Sequence, residues 1–257
     1  MKALILAAGQ GKRLLPLTED QPKAMLDVGG NSMIGWQIDA LVARGVDDIV
    51  VVTGFRSEVI ARKLSALRER YRHCRIRAVF NTFYGVADNL VSCWMARHEM
   101  NQPFLLLNGD TLFHEDVLQR LLDSPMSPVT LAVDHKPHYD EDDMKIRLDG
   151  IRLLEIGKAL PAGSVDGESI GMLLFRGDGP RLFAEALEQC MQATDALRQW
   201  YLSVIGALAK TTNVATQSIN GLGWCEIDYP LDLVRAEQMV ARWRNDDDGL
   251  PISVVAS

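Results

Sequence analysis

Short apolar runs alternate with amphipathic stretches from the first residues onward. Residues 3–7, 49–53, 76–80, 104–107 and 129–133 are continuous apolar runs that predict strands buried on both faces. Between them, residues 33–44, 59–70, 90–100 and 117–122 carry apolar side chains at helical spacing. Strand and helix thus alternate about four times. This rhythm implies crossover units and a Rossmann-like α/β fold, a mostly parallel mixed sheet with helices on both faces. In such sheets ligands collect beyond the carboxyl ends of the strands.

After about residue 140 the rhythm breaks. Residues 145–156 alternate around Asp149-Gly150, a hairpin signal, and residues 170–175 read as another strand. Helical patterns follow over 180–191 and 196–208, then strands over 214–219 and 224–227. A final helix begins after Pro230, is expected to bury Leu233, Val234, Met239 and Val240, and is expected to end around the polar run Asn245 to Gly249. No linker and no repeat interrupts the chain, so residues 1–257 read as a single domain.

Composition narrows the class. A chain of 257 residues with 47% hydrophobic and 24% charged residues is ample for a buried core and excludes disordered, collagenous and disulfide-stapled classes. Lys plus Arg total 27 against 34 Asp plus Glu, a net charge of −7, which gives no support for binding nucleic acid or an anionic membrane. Any anionic ligand must therefore be held by local cations. Cys74, Cys93, Cys190 and Cys225 form no C-x-x-C pair, so they read as free thiols of a reducing compartment. With no apolar run approaching the ~20 residues of a membrane span, the expected location is cytoplasmic.

Three segments carry candidate chemistry. Strand 1 runs into Leu6-Ala7-Ala8-Gly9-Gln10-Gly11-Lys12-Arg13-Leu14, with Pro22-Lys23 beyond. Glycines admit close backbone approach, and successive amides can face an anion. A dinucleotide fingerprint fails here, because Leu14 stands at the third glycine position and Pro16 and Pro22 prevent a long helix; the kinase-type phosphate loop fails on spacing. What remains is a glycine loop with the cations Lys12, Arg13 and Lys23. It suits a nucleoside triphosphate, or is a surface loop with solvated charges. The second segment is the strand that ends in Asn108-Gly109-Asp110, and the third is Trp224-Cys-Glu226-Ile-Asp228 before Pro230. Each aspartate alone reads as a turn or cap residue. As a pair at one sheet edge, Asp110 and Asp228 suit one Mg2+ ion, with Glu226 facing the same way as Asp228.

Glycine loop, Pro22-Lys23, the strand ending at Asp110 and the late Glu226-x-Asp228 occur in this order in the nucleotidyltransferases that activate phosphorylated sugars and alcohols, and the sequence resembles that superfamily over nearly its whole length. Within it, Asn81-x-Phe-Tyr84, Asn89-Leu-Val-Ser92, Met144-Lys145, Ile156-Gly-Lys158 and Trp224 to Asp228 are most similar to bacterial cytidylyltransferases of the choline-phosphate type. The resemblance implies a nucleotide-diphospho-sugar transferase fold, with a nucleotide-binding half over about 1–135 and an acceptor-binding half over about 136–257. It implies transfer of CMP from CTP to a small phosphorylated alcohol or phosphonate (phosphocholine, phosphoethanolamine, aminoethylphosphonate or inositol phosphate type), with release of pyrophosphate.

By position in the family motif, Gly9 and Gly11 would admit the triphosphate. Arg13 and Lys12 would hold its outer phosphates, and Lys23 would lie across the α-phosphate and the acceptor. Asp110 and Asp228 would carry Mg2+. Base recognition would fall to Leu6, Ala7, Ala8, Asn89 and Ser92, although Asn89 and Ser92 read equally as helix caps. Acceptor contacts would come from Lys145, Lys158, Glu168, Trp200, Tyr201 and Glu226. The two lysines read equally as solvent-facing hairpin residues, and the aromatics as core. Aromatic faces would favour a quaternary ammonium, and the acids from Asp140 to Asp143 a primary amine. A homodimer is compatible with the family. Two other readings stay open: a sugar-1-phosphate uridylyl- or thymidylyltransferase, and a catalytically silent nucleotide-sensing subunit.

Overall fold

The computed structural model describes residues 1–248. The first half contains β1 (Lys2–Ala7), the short β2 (Asp27–Val28) and β3 (Asn31–Ser32), α1 (Met33–Ala43), β4 (Asp48–Thr53), α2 (Ser57–Arg70), β5 (Arg75–Phe80), α3 (Asn89–Met95), β6 (Phe104–Asn108), β7 (Thr111–Phe113), α4 (Glu115–Leu122) and β8 (Val129–Asp134). The second contains β9 (Lys145–Asp149), β10 (Arg152–Gly157), β11 (Gly167–Phe175), α5 (Gly179–Cys190), α6 (Tyr201–Leu208), β12 (Val214–Ser218), β13 (Trp224–Glu226) and α7 (Pro230–Asp248).

Nine strands form one sheet in the order β5-β4-β1-β6-β11-β8-β12-β10-β9. The β5, β4, β1 and β6 strands are parallel, as crossover helices require, and β8 pairs parallel with β12. β11 runs antiparallel between β6 and β8, and β10 runs antiparallel between β12 and β9. The sheet is therefore mixed, and its reversed strands belong to the stretch where the βα rhythm fails. Alternation along β1 sends Ala3, Ile5 and Ala7 to one core and Leu4 and Leu6 to the other. The first core is covered by Ile34, Ile38 and Leu41 of α1, Ile60 and Leu64 of α2, and Val117 and Leu121 of α4. The second is covered by Leu90 of α3, Phe183 and Leu187 of α5, and Val204 and Ile205 of α6.

The helices expected over 90–100 and 196–208 are both shorter than that, the second beginning only at Tyr201 after a 3-10 turn from Ala196 to Arg198, and α7 buries a different face. The helix expected over 90–100 stops at Met95 and continues as a 3-10 turn from Arg97 to Glu99. Lys2, almost fully buried, must pair its charge. Its ammonium takes the Glu99 carbonyl at 2.6 Å and the Glu99 carboxylate at 2.9 Å, which turns the chain onto the sheet. In α7 the buried stripe runs through Leu233, Ala236 and Val240, so Val234 is exposed rather than buried. The expected stop at Gly249 lies outside the described residues. No helix among them is long and apolar enough to cross a membrane.

The second core is keyed by Phe175, whose ring stacks on Phe104 at 4.4 Å and on Phe183 at 4.7 Å, tying β6, β11 and α5 together. Phe175→Ala is expected to lower unfolding stability by about 3–5 kcal/mol, the usual cost of an unfilled phenylalanine site. Urea unfolding checks this, with a lowered midpoint and an unchanged slope as the expected result.

Candidate active site

The turn that carries Asp110 is fixed from several sides. Gly109 donates its amide to the Leu6 carbonyl at 2.9 Å, and a Cβ there would lie 2.5 Å from that oxygen, so only glycine lets β6 end so close to β1. Gln37, buried on α1, donates to the carbonyls of Asn108 and Thr111, both at 2.7 Å. The Thr111 hydroxyl donates to Ile170 at 3.0 Å, and the Tyr201 hydroxyl to the Asn108 side chain at 3.1 Å. Beside this turn, Gly11 has φ 79°, and a Cβ there would come 2.8 Å from the Lys23 Cβ. The glycine loop thus lies directly on the lysine.

β13 pairs antiparallel with β7, placing Glu226 opposite Thr111, and the Ile227 amide donates to the Asp110 carbonyl at 3.1 Å. This ladder carries Asp228 to Asp110 across more than a hundred residues of sequence. Lys23 Nζ lies 2.9 Å from Asp110 Oδ2 and also bonds Asp228. Burial opposes the charge on Lys23, but the two carboxylates outweigh it and raise its pKa. Arg13 lies 2.9 Å from Asp228, 2.9 Å from Asp142 and 3.2 Å from the Tyr229 hydroxyl.

The carboxylates of Asp110, Glu226 and Asp228 bring one oxygen each within 4.8 Å of one another. Among the described residues, Asp110 Oδ1 is buried without a hydrogen-bond partner. Hard carboxylate oxygens, one of them lacking any partner, fit a divalent cation that takes one or two carboxylates and completes its shell with phosphate and water. Glu226 is open to cleft water yet crowded by protein. Its enclosure first, then the charges of Asp110 and Asp228, push its pKa up to about 8.

Three adjoining cavities meet here. One of about 440 Å3 is lined by Leu6, Ala7, the glycine loop with Lys12 and Arg13, Lys23 and Asp110, and it also touches Asp88. A second, of about 210 Å3, lies across Asp110 and Asp228 and is walled by Arg13, Lys158, Trp200, Glu226 and Asn89. A third, of about 570 Å3, is an acidic trough that includes Glu168.

Several residues singled out from sequence stand elsewhere. Ser92 is buried and accepts a hydrogen bond from Asn81 at 3.0 Å. Asn89 faces the second cavity, not the first, and accepts from the Tyr201 amide at 3.0 Å. Ala8 is buried, with its carbonyl taken by the Phe55 amide at 3.0 Å. Tyr201 is fully buried, and its hydroxyl meets the cavity wall at Asn108. Lys145 is buried and donates to the Lys158 carbonyl at 3.0 Å, so it braces the hairpin that presents Lys158. Sequence reasoning missed Asn108 as a cavity wall and Gln37 as its brace. A lone glutamine on an apolar helix face was the available signal for Gln37.

The model of the nucleotidyl transferase family matches residues 2–133. The chain belongs to the nucleotidyl transferase family. Among relatives of this nucleotidyl transferase is the CTP:phosphoglutamine cytidylyltransferase of Campylobacter jejuni, 28% identical over 91% of this chain and 98% of the relative. The choline-phosphate cytidylyltransferase of Streptococcus pneumoniae is 35% identical over 44% of this chain and 46% of its own length. The inositol-1-phosphate CTP transferase of T. maritima has the same fold, with a TM-score of 0.77, 20% identity and 97% of each chain covered. The nucleotide-diphospho-sugar transferase fold expected from sequence is thus present.

Glu168 of this nucleotidyl transferase is buried 3.1 Å from Lys136, and burial outweighs the lysine to push its pKa up to about 7. A carboxyl that binds its proton more tightly folded than unfolded stabilises the fold at low pH, and that contribution is lost as pH rises between the unfolded value and about 7. Glu168→Gln is therefore expected to flatten the fall in stability from pH 5 to 8 by roughly 1–3 kcal/mol. Thermal unfolding across that range checks it. An equally steep fall in the variant would show that Glu168 is not the group responsible.

Proposed function

We propose that this chain transfers CMP from CTP to a small phosphorylated or phosphonate acceptor and releases pyrophosphate. The observation that carries the reading is that Arg13, Asp110 and Asp228 wall both cavities, while Lys23, lining the first, bonds both of the shared carboxylates. Cytidylyl transfer is the reaction named for relatives acting on phosphoglutamine and phosphocholine. Two anions must meet in this reaction, so charge neutralisation and positioning supply most of the rate.

The triphosphate fits the glycine-loop cavity, where amides and Lys12 and Arg13 meet its outer phosphates. An acceptor phosphate fits the second cavity at Lys158. Lys23, on the wall of the first cavity and bonded to the two carboxylates shared with the second, offsets the repulsion as an acceptor oxygen approaches the α-phosphorus in line. Asp110 and Asp228 would hold Mg2+, with Glu226 beside them. When bound, that ion neutralises phosphate charge and stabilises the pyrophosphate leaving group. No side chain is required as a covalent nucleophile.

Lys158 stands 4.7 Å over the Trp200 ring, so the one exposed aromatic face in the second cavity already holds a cation. This favours a polar or anionic acceptor body over a quaternary ammonium seated on that ring. A silent sensing subunit would have no need for a lysine held on the two carboxylates that both cavities share.

Lys23→Ala is expected to lower turnover roughly 100-fold or more while changing CTP affinity much less, because its charge matters most when the two phosphates are closest. Steady-state kinetics beside direct CTP binding check this; equal losses in both would make Lys23 a simple binding residue.

CTP is expected to exceed UTP in kcat/KM by about 10- to 100-fold, since a base edge with the wrong donor pattern leaves a buried polar group unpaired at about 1–3 kcal/mol. A pyrophosphate-release assay crossing both nucleotides with phosphorylated alcohols, phosphonates and glucose 1-phosphate tests it. Preference for UTP with glucose 1-phosphate would assign a uridylyltransferase instead.

A further inference from the structure

Asp142 lies outside every role assigned so far. It sits in the segment between β8 and β9, far in sequence from the glycine loop, and its carboxylate bridges the two halves of the cleft. One oxygen, Oδ2, meets Arg13 at 2.9 Å and lies 3.4 Å from the Tyr229 hydroxyl; the other, Oδ1, meets Lys158 at 3.3 Å. The bond to Lys158 and the nearby Arg13 hold its carboxyl below the usual range. Arg13 reaches the triphosphate cavity and Lys158 the acceptor cavity. A single carboxylate thus pairs one cation from each of the two proposed substrate sites at once.

We propose that Asp142 is a positioning residue that stands in for substrate phosphate, pairing Arg13 with Lys158 until the substrates displace it. The inference rests on the cleft being a phosphate-transfer site, but not on which base or acceptor it takes. A carboxylate carries one negative charge where a phosphate carries up to two, so it is a weaker partner for the same cations and gives way to either substrate. Linkage follows from the shared residue. An anion that takes Arg13 frees Asp142 and loosens its hold on Lys158, so filling the first site makes the second easier to fill, and the converse holds equally. The bridge also keeps the two cations facing the cleft when it is empty, instead of letting two long side chains scatter over the surface. Its partial exposure keeps it reversible, since ion pairs in reach of water are individually weak.

Inorganic pyrophosphate and inorganic phosphate are suitable probes, because they carry neither base nor acceptor body. Calorimetric titration of the full chain at low ionic strength is expected to give pyrophosphate binding roughly three- to tenfold tighter in Asp142→Asn than in wild type. In wild type, phosphate binding should strengthen when pyrophosphate is present. In Asp142→Asn that strengthening should vanish, and Asp142→Glu should restore part of it. Unchanged or weaker pyrophosphate binding in Asp142→Asn overturns the proposal, as does coupling that survives the substitution. A purely structural carboxylate would alter melting temperature without this gain in anion affinity. If the proposed nucleotide or acceptor is wrong, the CTP and acceptor panel fails while these two titrations still read as described.

Discussion

One ammonium held between two carboxylates organises this molecule. Lys23 comes from the loop after β1, Asp110 from the turn after β6, and Asp228 from just past the end of β13, and they meet because β1 and β6 end side by side in the large sheet while the separate β7–β13 ladder carries Asp228 to them. A buried ammonium without partners would be expelled or neutralised, and two carboxylates this close would repel. Each group therefore makes the others tolerable. The arrangement is strict in geometry as well as charge: Gly11 must lack a side chain for the loop to lie on Lys23, and Gly109 must lack one for β6 to end against β1. The site's electrostatics thus place demands on backbone positions that touch no ligand.

The same charges also have to be released. Both cations that wall the second cavity have carboxylate partners: Arg13 with Asp228 and Asp142, and Lys158 with Asp142. In a chain of net charge −7, this is how cations are kept aimed inward without drawing stray anions. Incoming phosphates then exchange one set of ion pairs for another, so binding energy reflects the difference between phosphate and carboxylate rather than the whole attraction.

Much of the nucleotide-side architecture was legible because local rules govern it. Continuous apolar runs become parallel strands, β1 and β6 end where glycines and polar residues begin, and the spacing from Glu226 to Asp228 carries both acids to one side. The acceptor side was less legible. β11 inserts antiparallel between β6 and β8, a long-range pairing that no local pattern encodes, and that insertion brings Gly171 against Asn108 and shapes the cavity. Tyr201, Lys145 and Ser92 carry polar groups at positions that match family motifs, yet each satisfies a buried hydrogen bond one layer behind the cleft. A polar residue in a motif can serve the ligand or the residue that serves the ligand. Sequence does not separate the two, because the choice depends on which side of a packed layer the side chain falls.

On the proposed reading, that layering would let the acceptor wall change while the reacting edge stays fixed. The reacting edge is built on β1, β6, β7 and β13 and braced by Gln37, Thr111 and the Gly109 amide, all hydrogen-bonded to backbone. Backbone partners are indifferent to most substitutions, so the edge keeps its shape while the surface around it changes. The acceptor wall instead rests on the β9-β10 hairpin, the Asp140 to Asp143 segment and the start of α6, which meet the cleft through side chains such as Lys158, Asp142 and Trp200. Side-chain walls can be exchanged one at a time without unfolding the sheet behind them. A cleft with one half fixed by main chain and the other by side chains can therefore keep a single phosphate-transfer geometry and accept different phosphorylated partners.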